Sequence, residues 1–424
     1  MNKAKKTVLA NGLRVITIPK KDDLATTFLV LVEAGSKYEA KPQSGISHFL
    51  EHMCFKGTAK RPSAMHIAAE LDGLGAEYNA FTSQEYTGYF AKVEAHKIDV
   101  ALDIVSDLYL NPLFDAKEIA KEKSVVVEEL NMYEDQPMKK INDHFMELLY
   151  GDQPAGWDVG GTKEVVRSLS KAGLEGYRAA HYLPQATVVV VAGAFDEAEM
   201  LKKIEVAFDG MPRGAKAGKL AVIEAQTAPK AIFIPKKVDQ THVMVGCRAF
   251  SGLDDRRFAL EVLSDILGGG MSSRLFQKVR EELAAGYYVR ASADLFTDHG
   301  FLAVNAGVDR ERTKEVIMAI LLEMKRLADE PVPEPELQRA KSHLIGRIIL
   351  GLEASDELAS FYGVQEIGGE PLLSPEELVS RIGQVTPESI QAVAREIFTD
   401  KGLNMAVIGP EGSDASFGEI LRFS

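Results

Sequence analysis

LEGYRAAHYLPQATVVVVAG, residues 174–193, and IQAVAREIFTDKGLNMAVIG, residues 390–409, read as two copies of one unit. Each begins with apolar residues at helical spacing and passes into a β-rich run closed by glycine. In the first copy Val188–Ala192 is an unbroken apolar stretch, the signature of a strand covered on both faces. The second copy lies 216 positions further on, so the chain reads as an internal duplication. The fold class this predicts is α+β: two homologous α/β lobes, each a β-sheet packed with helices. Between them DGMPRGAKAGKLAVIEAQTAP, residues 209–229, is rich in Gly, Ala, Lys and Pro and has no periodicity. The expected division is a lobe at 1–210, a linker at 211–229 and a second lobe at 230–424.

The first half carries clear element signals. Asn11-Gly12 between Val8-Leu9 and Leu13–Val15 predicts a hairpin with a two-residue turn. A strand is expected over Thr27–Val32, a helix over Ala64–Leu74, and two strands within Glu77–Phe90. Asp115 with Glu118 three residues on predicts the capped start of a long helix.

Composition bounds the function classes. At 424 residues the chain exceeds one ordinary core. A 46% hydrophobic, 26% charged composition is that of a globular protein. The net charge of −13, from 49 basic and 62 acidic residues, argues against nucleic acid as a partner. Cys54 and Cys247 are the only cysteines, which excludes a disulfide framework. With neither a secretory h-region nor an apolar run long enough to span a bilayer, the expected location is cytoplasmic, with no membrane span.

The chemistry concentrates in GISHFLEHMCFKGT, residues 45–58. Ile46, Phe49, Leu50, Met53 and Phe55 give the stretch the apolar background of a buried helix, with Ser47 as a cap at its start and Gly57 suited to its end. On that helix His48 and His52 are four apart and share a face, so both imidazoles can address one cation. Glu51 lies beside them. This is the H-E-x-x-H zinc pattern in reverse order, H-x-x-E-H. Two neutral imidazoles suit Zn²⁺, and the adjacent carboxylate suits a general base. The duplicated positions, Ser264–Gly268 (SDILG), carry no ligands, so the metal belongs to the first lobe only. Cys54 falls off the ligand face and is read as packing.

A catalytic zinc needs a third protein ligand. EKSVVVEELNMYED, residues 122–135, offers Glu122, Glu128 and Glu129 on one helix. Glu122 and Glu129 are two turns apart and share a face, while Glu128 points about 100° from Glu129. The residues alone leave Glu128 and Glu129 open.

Over essentially its whole length the chain resembles the pitrilysin family of zinc peptidases, which includes insulin-degrading enzyme and the mitochondrial processing peptidase. HFLEHMCFKGT is close to that family's signature. The resemblance implies zinc on His48 and His52, Glu51 as general base, and, through the family's E-x₆-E pair, Glu129 as third ligand with Glu122 behind it. In GGGMSSRLFQKVREELAAGYYV, residues 268–289, it implies that Arg280 contacts substrate and that Tyr287 donates to the developing oxyanion. GAEYNAFTS, residues 75–83, resembles the family's edge strand, on which a substrate peptide adds as a further strand; Asn79 and Ala80 are the positions marked there.

Three departures stand out. Ala284-Ala285-Gly286 replaces a frequent Gly-Leu-Ala, Tyr182-Leu183-Pro184-Gln185-Ala186 lacks the motif's Asn, and PAGWDVGGT, residues 154–162, replaces a Pro-Leu-Gly run. None of them is expected to touch the metal set. The resemblance implies a zinc metalloendopeptidase acting on unfolded peptides or presequence-like segments. The chain would form half of a clamshell, completed as a homodimer or as a heterodimer with a related chain. The alternative is a non-catalytic scaffold or assembly subunit of the same family.

Overall fold

The computed structural model describes residues 4–410 and 417–423. Strands β1 (Lys5–Val8), β2 (Arg14–Pro19), β3 (Ala25–Val32), β4 (Glu77–Thr82), β5 (Thr87–Glu94) and β6 (Thr187–Gly193) form one sheet in the order β1-β2-β6-β3-β5-β4. Strands β7 (Lys230–Pro235), β8 (Thr241–Ala249), β9 (Gly286–Leu295), β10 (Gly300–Val308) and β11 (Leu403–Gly409) form a second, in the order β7-β11-β8-β10-β9. Apart from β1, the two orders are the same. Each sheet has a single parallel pair at the same place, β2 with β6 and β7 with β11. The duplicated stretches carry matching elements: helix Lys171–His181 then β6, and helix Pro387–Ile397 then β11. The fold is the mixed α/β duplication that the repeat predicts.

The helices of the first half are α1 (Ile46–Cys54), α2 (Ala64–Leu74), α3 (Ile98–Leu110), α4 (Ala116–Glu134) and α5 (Pro137–Tyr150), followed by Lys163–Ser168, Lys171–His181 and Glu197–Phe208. Asp115 Oδ1 accepts from the amides of Lys117 and Glu118 at 2.8 and 3.2 Å, starting α4 as expected. The first hairpin differs in detail. Beyond the Val8–Arg14 pair Leu9 N donates to the Leu13 carbonyl, the Leu9 carbonyl accepts from Gly12 N, and Gly12 adopts φ 93°, giving a three-residue loop over 10–12 in place of a two-residue turn.

The chain divides into two compact units, and their limits are not those of the sequence halves. One unit comprises Met1–Asn131, Trp157–Leu220 and Ile349–Ser374; the other comprises Met132–Gly156, Ala221–Ile348 and Pro375–Ser424. Each half therefore gives one helix to the other half's sheet. The physical cause is that both sheets are apolar on two faces. In the first, Val15, Phe28, Val30, Val189 and Val191 pack with Phe49, Leu50 and Met53 of α1. Its other face, Ile16, Ile18, Leu29, Leu31, Val188 and Val190, is covered by Leu358, Ala359 and Tyr362 of helix Ser355–Ile367. Gly363 lets that helix close on the sheet, since an added Cβ would lie 2.7 Å from Leu31. In the second unit α5 plays the same part, setting Ile141, Phe145 and Leu149 against Met244, Phe301, Ala303, Ala406 and Ile408. Burying each such side chain contributes about 1.5–3 kcal/mol, which is what holds these distant segments in place. The stretch 211–229 has no helix or strand; residues up to 220 belong to the first unit and those from 221 to the second.

Candidate metal centre

α1 is amphipathic in the way its sequence predicts. Ile46, Phe49, Leu50, Met53 and Cys54 are buried, leaving His48, Glu51 and His52 on the less covered side. Its start is built differently from expectation. The cap is Gly45, in the left-handed region at φ 91°, and not Ser47, whose hydroxyl meets that of Tyr177 at 2.8 Å. The helix amides are taken by Glu39, whose carboxylate accepts from Gly45 N at 2.7 Å and Ser47 N at 2.8 Å. Glu39 is buried, and burial pushes its carboxyl up to about 7 against the pull of those two amides.

His48 Nε2 and His52 Nε2 stand 3.2 Å apart, and Glu129 Oε2 lies 3.7 Å from the first and 3.4 Å from the second. A tetrahedral zinc with bonds of about 2.05 Å has ligand-to-ligand edges of about 3.3 Å, so these three donors already have the required spacing. His48, His52 and Glu129 are the single group of potential ligands that converges within 4.8 Å among the described residues. Glu128 is exposed, its carboxylate accepting from Asn131 Nδ2 at 3.2 Å, so α4 turns Glu129 and not Glu128 toward the histidines.

Glu122 is buried behind His52. Its Oε1 lies 2.8 Å from His52 Nδ1 and its Oε2 lies 2.6 Å from Lys56 Nζ. An ionised carboxylate only accepts, so Nδ1 of His52 carries the proton and Nε2 turns a lone pair toward the other two donors. Burial alone would raise Glu122; the His52 and Lys56 contacts outweigh it and hold the carboxyl below its ordinary value. Burial likewise pulls His52 down, but the Glu122 hydrogen bond and the charges of Glu129, Glu122 and Glu51 overcome it and raise the imidazole. His48 is lowered by burial and by the neighbouring His52. Glu51 is raised by burial, partly offset by the hydroxyl of Thr82, which donates to Glu51 Oε2 at 2.6 Å. Lone pairs converging on one point, with a carboxylate among them, are unfavourable without a proton or a cation there. The donor set therefore fits a divalent metal such as zinc.

The PAGWDVGGT departure does reach this set. Gly160 backs onto the ring of His48, an added Cβ lying 3.9 Å from Nδ1 and 2.8 Å from Leu130. Gly45 and Gly161, both at positive φ, interlock: a Cβ on either would come within 2.4 Å of the other turn's backbone. The start of α1 thus rests on the 158–161 turn, a contact that separation in sequence concealed.

Among the described residues β4 is the last strand of its sheet and pairs only with β5, which leaves its other edge free. Asn79 is exposed on it and Ala80 is buried. In the second unit Arg280 lies in a π-helical turn, Phe276–Glu282, and its guanidinium donates to the carbonyl of Tyr287, the exposed second residue of β9. Sequence reading missed Glu39, Lys56 and Thr82. Thr82 and Lys56 sat inside quoted motifs, but nothing in spacing marks a hydroxyl or an ammonium as facing a carboxylate.

The family model described as Insulinase (Peptidase family M16) matches residues 14–163, and that described as Peptidase M16 inactive domain matches residues 168–344. A Mycobacterium tuberculosis protein described as an uncharacterized zinc protease is 35% identical over 421 residues, 99% of this chain and 96% of the relative. A Streptomyces coelicolor protein of the same description is 33% identical over 415 residues, 96% of this chain and 89% of the relative. Among solved structures, a protease from Helicobacter pylori superposes with a TM-score of 0.90 at 21% identity, over 96% of this chain and 100% of that one.

Proposed function

The chain belongs to peptidase family M16, the insulinase family, and from that membership we propose that it is a zinc-dependent endopeptidase. The observation that carries the proposal is the spacing of three donors, His48 Nε2, His52 Nε2 and Glu129 Oε2, with Glu51 beside them. A zinc ion held there supplies a Lewis acid for the scissile carbonyl and for the attacking water.

The chain's own residues do the rest. Glu51 Oε1 takes a proton from the water as the oxygen bonds to the carbonyl carbon. It then passes that proton to the amide nitrogen as the C–N bond breaks. Glu122 fixes the His52 ring and its tautomer, and Lys56 keeps Glu122 anionic. The free edge of β4, with Asn79 and Ala80, receives an extended peptide through main-chain hydrogen bonds. Arg280 contacts the substrate, and the Tyr287 hydroxyl donates to the oxyanion. Such a site reads backbone more than side chains, which suits unfolded peptides or presequence-like segments. The proposed working form pairs two chains, a homodimer or a heterodimer with a related chain, around the substrate. Retention of every donor weighs against a purely scaffolding role.

The test is cleavage of a mixed library of peptides of roughly 10–30 residues, with products read by mass spectrometry. Zinc-loaded protein should cut, chelation should stop cutting, and zinc should restore it. Zinc binding without cleavage of any peptide, alone or with a partner chain, would contradict the proposal.

A further inference from the structure

The general base is held by the strand that is to receive the substrate. Thr82 is the last residue of β4, and its hydroxyl donates to Glu51 Oε2 at 2.6 Å. The direction of that bond is fixed, because an ionised carboxylate offers no proton and the hydroxyl has one. Thr82 is itself held by its ladder partner. Thr87 stands opposite it on β5, donates to the carbonyl of Ala34 at 2.8 Å, and lies 3.4 Å from Thr82 Oγ1. Thr87 is fully buried, whereas Thr82 and Glu51 are only half-buried.

Resting on the peptidase reading above, we propose that Thr82 is a positioning residue that holds Oε2 of Glu51, so that Oε1 exchanges the proton, and that ties the base to the free edge of β4. The Thr82 proton stays on Thr82 throughout. Only Oε1 gains the proton from water and releases it to the leaving nitrogen. A peptide that adds to β4 therefore lies alongside the residue that aims the base.

The test uses the zinc-loaded full chain with Thr82→Val, which keeps shape and loses the hydroxyl, and Thr82→Ser, which restores it. Thr82→Val should lower kcat about 10- to 100-fold, as a loosened catalytic group does, with KM changed less than about threefold and bound zinc unchanged. Thr82→Ser should recover most of kcat. An unchanged kcat in Thr82→Val, or an equal loss in both variants, would overturn the role. A second readout needs no activity: thermal unfolding of metal-free wild type, Thr82→Val, Glu51→Ala and the double variant. Non-additive shifts in Tm support the contact, and additive shifts overturn it. Should wild type fail to cleave both alone and with a partner chain, the peptidase reading falls and this role with it. Cleaving wild type beside an equally active Thr82→Val sinks the Thr82 role alone.

Discussion

Glu39 lies beneath the first turn of α1 with its two oxygens on backbone amides and a carboxyl pushed up to about 7 by burial. The folded chain therefore keeps a proton that the unfolded chain, with a carboxyl near 4.5, has released. The stability this contributes is complete below about pH 4.5 and is lost as pH rises through about 7. Metal-free wild type should lose about 2–3 kcal/mol relative to Glu39→Gln between pH 5 and 8 in urea unfolding. A difference between the two proteins that is the same at every pH would contradict this. His48, Glu51 and His52 were legible together because helical periodicity alone puts them side by side; the two-turn spacing put Glu122 and Glu129 on one face but left Glu128 open, and only the family's E-x₆-E pair singled out Glu129. Glu39 was not legible, because a carboxylate reaching forward to the amides of another segment leaves no periodic trace. Even Ser47, the textual candidate for a cap, is turned to Tyr177 instead.

The turn between the π-helical segment and β9 bears on a different prediction. Ala284 sits there at φ 48°, in the left-handed region that a Cβ disfavours. Ala284→Gly should stabilise the protein by about 1 kcal/mol, a rise in Tm of a few degrees, without changing zinc binding. A fall in Tm would mean the backbone there is unstrained. At this scale most elements could be read ahead: the strand over Val188–Ala192, the helix Ala64–Leu74 and the capped start of α4 all lie where local pattern puts them. What local pattern could not tell was partnership. The apolar faces of α5 and of Ser355–Ile367 announce that they are buried, yet nothing in 3.6-residue periodicity says against which sheet. The two-faced apolar strands were the available clue, since a strand such as β6 demands cover on both sides.

The repeat of 216 residues made the doubled architecture visible, and the same strand order in both sheets confirms it. If each chain's second unit completes the other's site, mixing Glu51→Gln with Tyr287→Phe should restore activity to roughly a quarter of wild type, because half the dimers are mixed and each mixed dimer has one intact site. No restoration would place the base and the tyrosine of a working site on one chain. Beneath all of this stands the claim that Glu51 is the base of a zinc peptidase. The most direct measurement is cleavage of one peptide by wild type and by Glu51→Gln at matched zinc content. Wild type should cut, and the variant should bind the same zinc and lose at least about 100-fold in kcat. Equal cleavage by both would contradict it.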